Sequence, residues 1–402
     1  MLGRYGPLAR VPGAMAFSAA AFVARMPISM MGLGTVFLVV AATGSYGLAG
    51  AVSATVALTQ AAGAPALGRL VDRVGQPRVL LPSVVLHAAG LAALVGLALA
   101  DAPTWTLFPA AAVYGAAYPS IGSLVRARWA HVVGGTALLP VAYSVESVLD
   151  ELIFVIGPVL VTALATGVAP AAGLLAALGF AAAGGIALAA QRRTAPPPRP
   201  PGGVAHPSAL RTPGLRVVAV VAVPLGGVFG AADICIVAFT TERGSPGAAG
   251  LVLALLAFGS LLSGLLYGAV RWRAPLHRRF LAATVAVAGA TAALPLANSV
   301  PVIAVVGVAA GFTFSPTLIA VFGLVEELVP AAALTEGLSW LTTGLGVGIA
   351  LASTLAGRII DESGARTALL VAMASGLLTV ALAFGGLRWL RQVSDPGARI
   401  GG

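Results

Sequence analysis

Long apolar segments separated by short polar ones run along the whole of this 402-residue chain. A helix needs about 20 apolar residues to cross the hydrocarbon core of a bilayer, and each segment has that length. The segments are continuously apolar and do not alternate with a period of two, which disfavours a membrane β-barrel. The pattern predicts twelve spanning helices, at about residues 15–42, 46–67, 79–100, 104–125, 138–166, 169–190, 214–241, 246–270, 280–297, 300–325, 333–357 and 366–389.

Composition points the same way. Hydrophobic residues make up 59% of the chain and charged residues only 9%, whereas roughly a quarter of the residues in a soluble domain are charged. The 51 glycines do not argue against helices, because small residues allow membrane helices to pack closely. We therefore expect an all-α integral membrane protein. The first apolar segment is too long for the core of a signal peptide, so we expect it to be a retained helix.

The basic residues predict the orientation of the chain. All 23 are arginines, and an even number of spans places both termini on one side. Nineteen arginines then lie on the side of the termini, Arg25 lies within a span, and only Arg243, Arg358 and Arg366 lie on the other side. The positive-inside rule makes the terminal side cytoplasmic. The net charge of +10 thus reflects topology. The arginines are scattered over short loops, which does not favour nucleic-acid binding.

A basic, proline-rich segment divides the chain into two halves. Residues 191–213 have the composition of an extended linker, and six predicted spans lie on either side of it. We predict an N-terminal six-helix bundle at 1–190, a cytoplasmic linker at 191–213 and a C-terminal six-helix bundle at 214–402. A weak internal repeat, between the segments 68–78 and 268–278, supports two parallel halves.

The segment from Gly68 to Arg78 lies between the second and third predicted spans and reads Gly-Arg-Leu-Val-Asp-Arg-Val-Gly-Gln-Pro-Arg. It resembles the loop between helices two and three of major facilitator superfamily transporters, whose pattern is Gly-x-Leu-x-Asp-Arg-x-Gly-Arg-Lys. Gln76 and Pro77 replace the two basic residues at the end of that pattern. The resemblance implies two bundles that give alternating access to a central site, and a conformational-switch role for Gly68, Asp72, Arg73, Gly75 and Arg78.

Five charged residues lie well inside predicted spans, where a charge normally faces a cavity or a partner because its transfer into lipid is costly. These candidates for proton or substrate binding are Arg25, Glu146, Asp150, Glu151 and Asp233. Glu146 and Asp150 are four residues apart and share one helix face, whereas Glu151 is rotated by about 100° from Asp150. Two carboxyls this close repel when both are ionised, so one of them is a candidate to bind and release a proton.

Each of these candidates also has a structural interpretation. A rise of about 1.5 Å per helical residue places Arg25 and Asp150 at similar depth, which predicts an ion pair with either a transport role or a purely structural one. The acidic residues of the fifth span are alternatively solvated, or paired with Arg126 and Arg128. Asp233 is either a proton or substrate ligand or a polar contact near the outer boundary.

Two predicted helix kinks and one turn complete the pattern. Pro27 follows Arg25 and Met26 in the first span, where proline frees a backbone carbonyl and bends a helix. Gly157 and Pro158 resemble the Gly-Pro core of a motif in drug/proton antiporters, although valine and leucine replace the glycines that follow it there. The segment 357–366 is similar to the switch segment, and we predict that it forms a charged turn between spans eleven and twelve.

The remaining chemistry favours a carrier. The chain has no lysine, so it has no phosphate-binding loop ending in Gly-Lys-Ser/Thr, and its four histidines and one cysteine lack metal-ligand spacing. We expect no enzymatic activity, metal or cofactor, with the proton motive force as the energy source. Few asparagines and glutamines lie in the spans, which favours a hydrophobic or amphipathic substrate.

The leading hypothesis is proton-coupled efflux of a drug or metabolite. The alternatives are proton-coupled uptake of a small nutrient, such as a sugar or organic acid, and a membrane scaffold that transports nothing. The expected partners are a small-molecule substrate, protons and the lipid bilayer. We expect a monomer in the plasma membrane of a bacterium, with both termini cytoplasmic.

Overall fold

The computed structural model describes residues 6–136, 138–198, 208–270, 272–330 and 334–391. Almost all of these residues are helical, which confirms the predicted all-α class. Fourteen helices have ten residues or more: α1 (Ala14–Arg25), α2 (Pro27–Thr43), α3 (Tyr46–Val74), α4 (Gln76–Leu99), α5 (Leu107–Ala116), α6 (Ile121–Val133), α7 (Leu138–Gly167), α8 (Ala172–Ala190), α9 (Pro213–Glu242), α10 (Ala248–Ala269), α11 (Leu276–Ala293), α12 (Val300–Leu328), α13 (Leu334–Ser363) and α14 (Ala365–Gly385).

Eleven segments in the described part of the chain are long and apolar enough to cross a membrane. The chain is therefore a multi-pass membrane protein. The fourth predicted span, 104–125, is wrong as a single helix, because α5 ends at Ala116 and α6 begins at Ile121. Pro119 causes this break, since it has no N–H to donate and disfavours helical geometry in the residue before it. Ser120, with the non-helical dihedrals φ −72° and ψ 75°, precedes α6.

The helices form two compact units. The first comprises Met1–Gly44 and Thr55–Gly203, and the second comprises Ser45–Ala54 and Val204–Gly402. The buried core of the first unit includes Phe17, Leu80, Val125, Trp129 and Leu188. That of the second includes Leu215, Phe280, Val321, Leu324 and Leu341. Each unit thus has its own packed interior.

Part of the predicted linker 191–213 lies outside the described residues, at 199–207. Short 3-10 turns occur on either side of this gap, at Arg192–Thr194 and Ala209–Arg211. On the second side, the carboxylate of Glu336 accepts hydrogen bonds from the Ser208 hydroxyl at 2.6 Å and from the Ala209 amide at 2.9 Å. The linker therefore ends on the first turn of α13.

Glycines set the closest helix contact in the second unit. Gly226 and Gly230 of α9 lie against the backbone of α13. Gly344 and Gly348 of α13 in turn lie against the backbone of α9. An added Cβ at Gly348 would come within 1.7 Å of the Val223 carbonyl oxygen. Both helices thus use a Gly-x-x-x-Gly spacing, which lets backbones approach where lipid supplies no hydrophobic drive for association.

The switch segment 68–78 is helical, and its prediction as a loop is wrong. No strong helix breaker occurs between Gly68 and Val74, so α3 continues to Val74 and α4 begins at Gln76. The turn is the single residue Gly75, whose φ of 93° favours glycine. Gly364, with φ 83°, joins α13 to α14 in the same way, so the turn predicted in the segment 357–366 is this one residue and the charged residues of the segment lie in the two helices.

Candidate functional site

An ionic cluster lies in the first unit, where α1, α6 and α7 meet. Arg25, the last residue of α1, has a side chain only 4% exposed. It forms ion pairs with Glu146 and with Asp150, the latter at 2.6 Å between Nη1 and Oδ1. The predicted ion pair between Arg25 and Asp150 is confirmed. Because Glu146 and Asp150 lie one turn apart on α7, they bind different nitrogens of the same guanidinium.

Glu146 is fully buried, and both of its carboxylate oxygens accept hydrogen bonds. One oxygen accepts a hydrogen bond from the Arg25 guanidinium. The other accepts hydrogen bonds from Ser18 Oγ at 2.5 Å and from Trp129 Nε1 at 2.8 Å. Trp129 also packs edge-on against Phe17, with ring centroids 4.8 Å apart. A buried carboxylate is tolerated only when it is paired and hydrogen-bonded in this way.

Asp150 is shared between two arginines. Its second oxygen accepts a hydrogen bond from Arg126 at 2.7 Å, and both side chains are about one-third exposed, at 33% and 31%. The structural interpretation of the carboxylates, in which Arg126 neutralises one of them, agrees with this contact. Two arginines and two carboxylates leave the cluster without net charge. Neither Glu146 nor Asp150 is therefore a repelling, unpaired carboxyl of the kind the sequence suggested.

The break between α1 and α2 positions Arg25. Pro27 has no N–H, so the Val23 carbonyl accepts from the Met26 amide at 3.2 Å and α1 ends. The Ala24 carbonyl accepts a hydrogen bond from the Tyr118 hydroxyl at 2.8 Å. Tyr118 belongs to the broken segment between α5 and α6. Two proline breaks, at Pro27 and Pro119, thus support each other beside the guanidinium.

Two of the four candidate carboxylates remain without a partner among the described residues. Glu151 lies on α7 next to the ionic cluster, is partly exposed, and forms no hydrogen bond or ion pair there. Asp233 lies in the middle of α9 and is exposed, although nearly every neighbouring position of that helix is buried. Each unit therefore presents one unpaired acidic side chain at mid-helix. The described part of the chain holds no group of three or more His, Cys, Asp or Glu side chains suited to a metal ion.

Solved transporter structures share this arrangement of helices over nearly the whole chain. The nucleoside transporter NupG is 13% identical, with a TM-score of 0.69 over 94% of this chain and 99% of its own. The human organic anion transporter MFSD10 (TETRAN) is 16% identical, with a TM-score of 0.67 over 94% and 99%. The POT family transporter PepTSo is 12% identical, with a TM-score of 0.73 over 96% and 98%.

The chain has the fold of major facilitator superfamily transporters. The expectation drawn from the switch segment is thereby confirmed for the fold. No protein-family model matches the sequence, and no curated protein matches it.

Within this major facilitator fold, the switch segment makes a contact that the sequence did not predict. Gln76, which departs from the family pattern, is buried and donates to the Leu124 carbonyl at 3.1 Å. Its side-chain oxygen accepts from Arg128 Nε at 2.7 Å. Arg128 also donates to the Leu188 and Gln191 carbonyls, each at 2.8 Å. Gln76 and Arg128 therefore tie the α3–α4 turn to α6 and the end of α8.

The charged residues of the switch segment have few contacts. Asp72 and Arg73 are exposed and form no hydrogen bond or ion pair with any described residue, and Gly68 has no neighbour within 4 Å of a Cβ placed on it. Arg78 makes one long hydrogen bond, at 3.4 Å, to the Val74 carbonyl. A conformational role for Asp72, Arg73 and Arg78 stays a prediction.

Gly157 is a point of close helix contact. A Cβ there would come within 1.9 Å of Ser29 Oγ, and Ser29 donates a hydrogen bond to the Ile153 carbonyl at 2.9 Å. Pro158 lies inside α7, which runs unbroken from Leu138 to Gly167. The proline therefore does not divide the helix, in contrast to Pro27 and Pro119.

Proposed function

We propose that this protein is a secondary active transporter that works by alternating access and exports a hydrophobic or amphipathic small molecule in exchange for protons. The observation that carries the proposal is the contrast between paired and unpaired carboxylates. Glu146 and Asp150 are neutralised by Arg25 and Arg126. Glu151 and Asp233 have no such partner in the described part of the chain and lie at mid-helix. An ionised side chain inside the membrane costs free energy, so an unpaired one there is a candidate functional residue.

An unpaired carboxylate in an apolar span has two uses in a carrier. It binds a proton, or it binds the positive end of a substrate, and competition between the two couples their movements. Glu151 and Asp233 are accessible from their helix surfaces, so either ligand reaches them without breaking an existing ion pair. The Arg25 cluster has the complementary role of holding α1, α6 and α7 in place around Glu151.

The apolar character of the spans supports an amphipathic substrate. The chain has one asparagine, Asn298, and Gln60 is the only glutamine well inside a predicted span. Sugars need several such hydrogen-bonding partners. The structures that share the fold include transporters of nucleosides and of organic anions, so the fold itself accommodates more than one substrate chemistry.

Flux measurements in proteoliposomes test the proposal. The purified chain is reconstituted with a pH-sensitive dye inside, a pH gradient is imposed, and a panel of amphipathic cations and neutral compounds is added. Export by antiport predicts that a substrate collapses the gradient and moves against the direction of the protons. Movement of substrate with the protons would instead indicate uptake, and no flux for any compound would favour a scaffold.

A further inference from the structure

A cavity of about 440 Å3 opens between α10 and α11 in the second unit, at the ends of these helices that the arginine distribution predicts to be cytoplasmic. Its wall is apolar and aromatic, formed by Leu266, Tyr267, Val270, Trp272 and Phe312. Leu266, Val270 and Trp272 are about half exposed, at 51%, 51% and 45%. In a membrane protein we expect apolar side chains this exposed to face lipid.

Two arginines close one end of this cavity. Arg278 and Arg279 lie in the first turn of α11 and line the cavity with Tyr267 and Trp272. The amide groups at a helix N-terminus carry partial positive charge, which adds to that of the two guanidinium groups. Among the described residues, Arg278 and Arg279 form no ion pair, although Glu327 of α12 lies close enough to interact electrostatically with Arg279. The mouth of the cavity is therefore positive.

Arg279 is held in place but is incompletely bonded. It donates from Nη1 to the Tyr267 hydroxyl at 3.1 Å, and its guanidinium carbon lies 5.7 Å and 5.8 Å from the ring centroids of Tyr267 and Trp272. The two rings are tilted by 36° to each other, with centroids 4.7 Å apart. The Nε of Arg279 is buried and has no hydrogen-bond acceptor in the described part of the chain. A buried donor without an acceptor is costly, so an acceptor supplied by a ligand would stabilise this arrangement.

We propose that this cavity binds an anionic phospholipid of the surrounding leaflet. The phosphate lies against Arg278 and Arg279 and supplies the acceptor that Arg279 Nε lacks, while an acyl chain lies along Leu266, Val270 and Phe312. Basic pockets between membrane helices on the cytoplasmic side recognise anionic headgroups in this manner. Tyr267 and Trp272 lie near the end of α10, and amphipathic aromatic rings of this kind concentrate at membrane interfaces. The proposal does not depend on the transport activity.

Native mass spectrometry of the full chain, extracted from mixed vesicles of phosphatidylglycerol and phosphatidylcholine, tests the proposal. We expect preferential retention of phosphatidylglycerol by the wild type and a loss of roughly tenfold or more in Arg279→Gln, the size of one charge-assisted hydrogen bond. Arg273→Gln is the matched control, because Arg273 lies in the loop just before α11, is exposed and does not line the cavity. It should retain the lipid as the wild type does.

A second variant tests the apolar part. Ala282 lines the cavity and is exposed, so Ala282→Phe fills the space without removing a charge, and it should also lose the lipid. Equal retention of the two lipids by the wild type, or equal phosphatidylglycerol retention in Arg279→Gln and Arg273→Gln, would overturn the proposal. Unchanged phosphatidylglycerol retention in Ala282→Phe would also overturn the proposal, because it would show that the lipid does not occupy the cavity. So would displacement of the lipid by a transported organic anion whose flux requires Arg279.

Discussion

Arg25 donates a hydrogen bond to Asp150 over 2.6 Å, and so joins the end of α1 to α7 across 125 residues of sequence. The same guanidinium also forms an ion pair with Glu146, and Asp150 forms a second ion pair with Arg126. Two positive and two negative charges leave the cluster without net charge. Glu151, the next residue after Asp150, is left outside it.

Removal of Arg25 should destabilise the first unit. Arg25→Met leaves Glu146 fully buried without its cation, and breaking a buried ion pair from one side costs on the order of 3–5 kcal/mol. We expect a clear fall in the midpoint of thermal unfolding in detergent, followed by circular dichroism. The charge-balanced double variant Arg25→Met/Glu146→Gln should recover much of the loss. No recovery in the double variant would show that charge balance does not govern this cluster.

Gln76 should matter although it departs from the family pattern. Gln76→Ala removes the acceptor of Arg128 Nε and the donor to Leu124, and unsatisfied buried groups cost roughly 1–3 kcal/mol. The thermal midpoint should fall. Gln60→Ala is the matched control, because Gln60 forms no hydrogen bond with a described residue; an equal effect of the two substitutions would contradict the role given to Gln76.

Gly157 should tolerate no side chain. Gly157→Ala forces a Cβ against Ser29 Oγ, and overpacking of this kind typically costs about 1–3 kcal/mol. Gly179→Ala in α8 is the control, since a Cβ there has no neighbour within 4 Å. We expect a lower unfolding midpoint for Gly157→Ala and an unchanged midpoint for Gly179→Ala. Equal midpoints would mean that α2 and α7 separate easily.

Asp361 should protect the start of α3. Its carboxylate accepts from the Tyr46 amide at 2.7 Å, the Gly47 amide at 2.8 Å and the Ser45 hydroxyl at 2.7 Å. The two amides are free donors of a helix N-terminus, and a carboxylate there is stabilising. In Asp361→Ala, hydrogen exchange of the Tyr46 and Gly47 amides should accelerate. Glu362→Ala, which alters the exposed neighbour, should leave exchange unchanged; similar rates in both variants would exclude the cap.

Some of these features follow from the sequence and others do not. Spans are predicted because continuous apolar length is a strong signal, and depth along two helices is enough to pair Arg25 with Asp150. Trp129 and Ser18 were missed as ligands of Glu146, because the break at Pro119 sets where α6 lies and residues 18 and 146 are remote in sequence. In the sequence Gln76 is only a departure from a pattern, since an uncharged side chain gives no signal of its buried partner Arg128.

The central claim is that Glu151 and Asp233 exchange protons or substrate whereas Glu146 and Asp150 hold the fold. Substrate-driven proton movement in proteoliposomes, measured for Glu151→Gln, Asp233→Asn and the control Asp101→Asn, tests it most directly. Asp101 lies in a loop at φ 48°, which asparagine also adopts. The account predicts folded protein in all three variants, loss of coupled proton movement in at least one of the first two, and wild-type movement in Asp101→Asn. Full coupling in both Glu151→Gln and Asp233→Asn would contradict it.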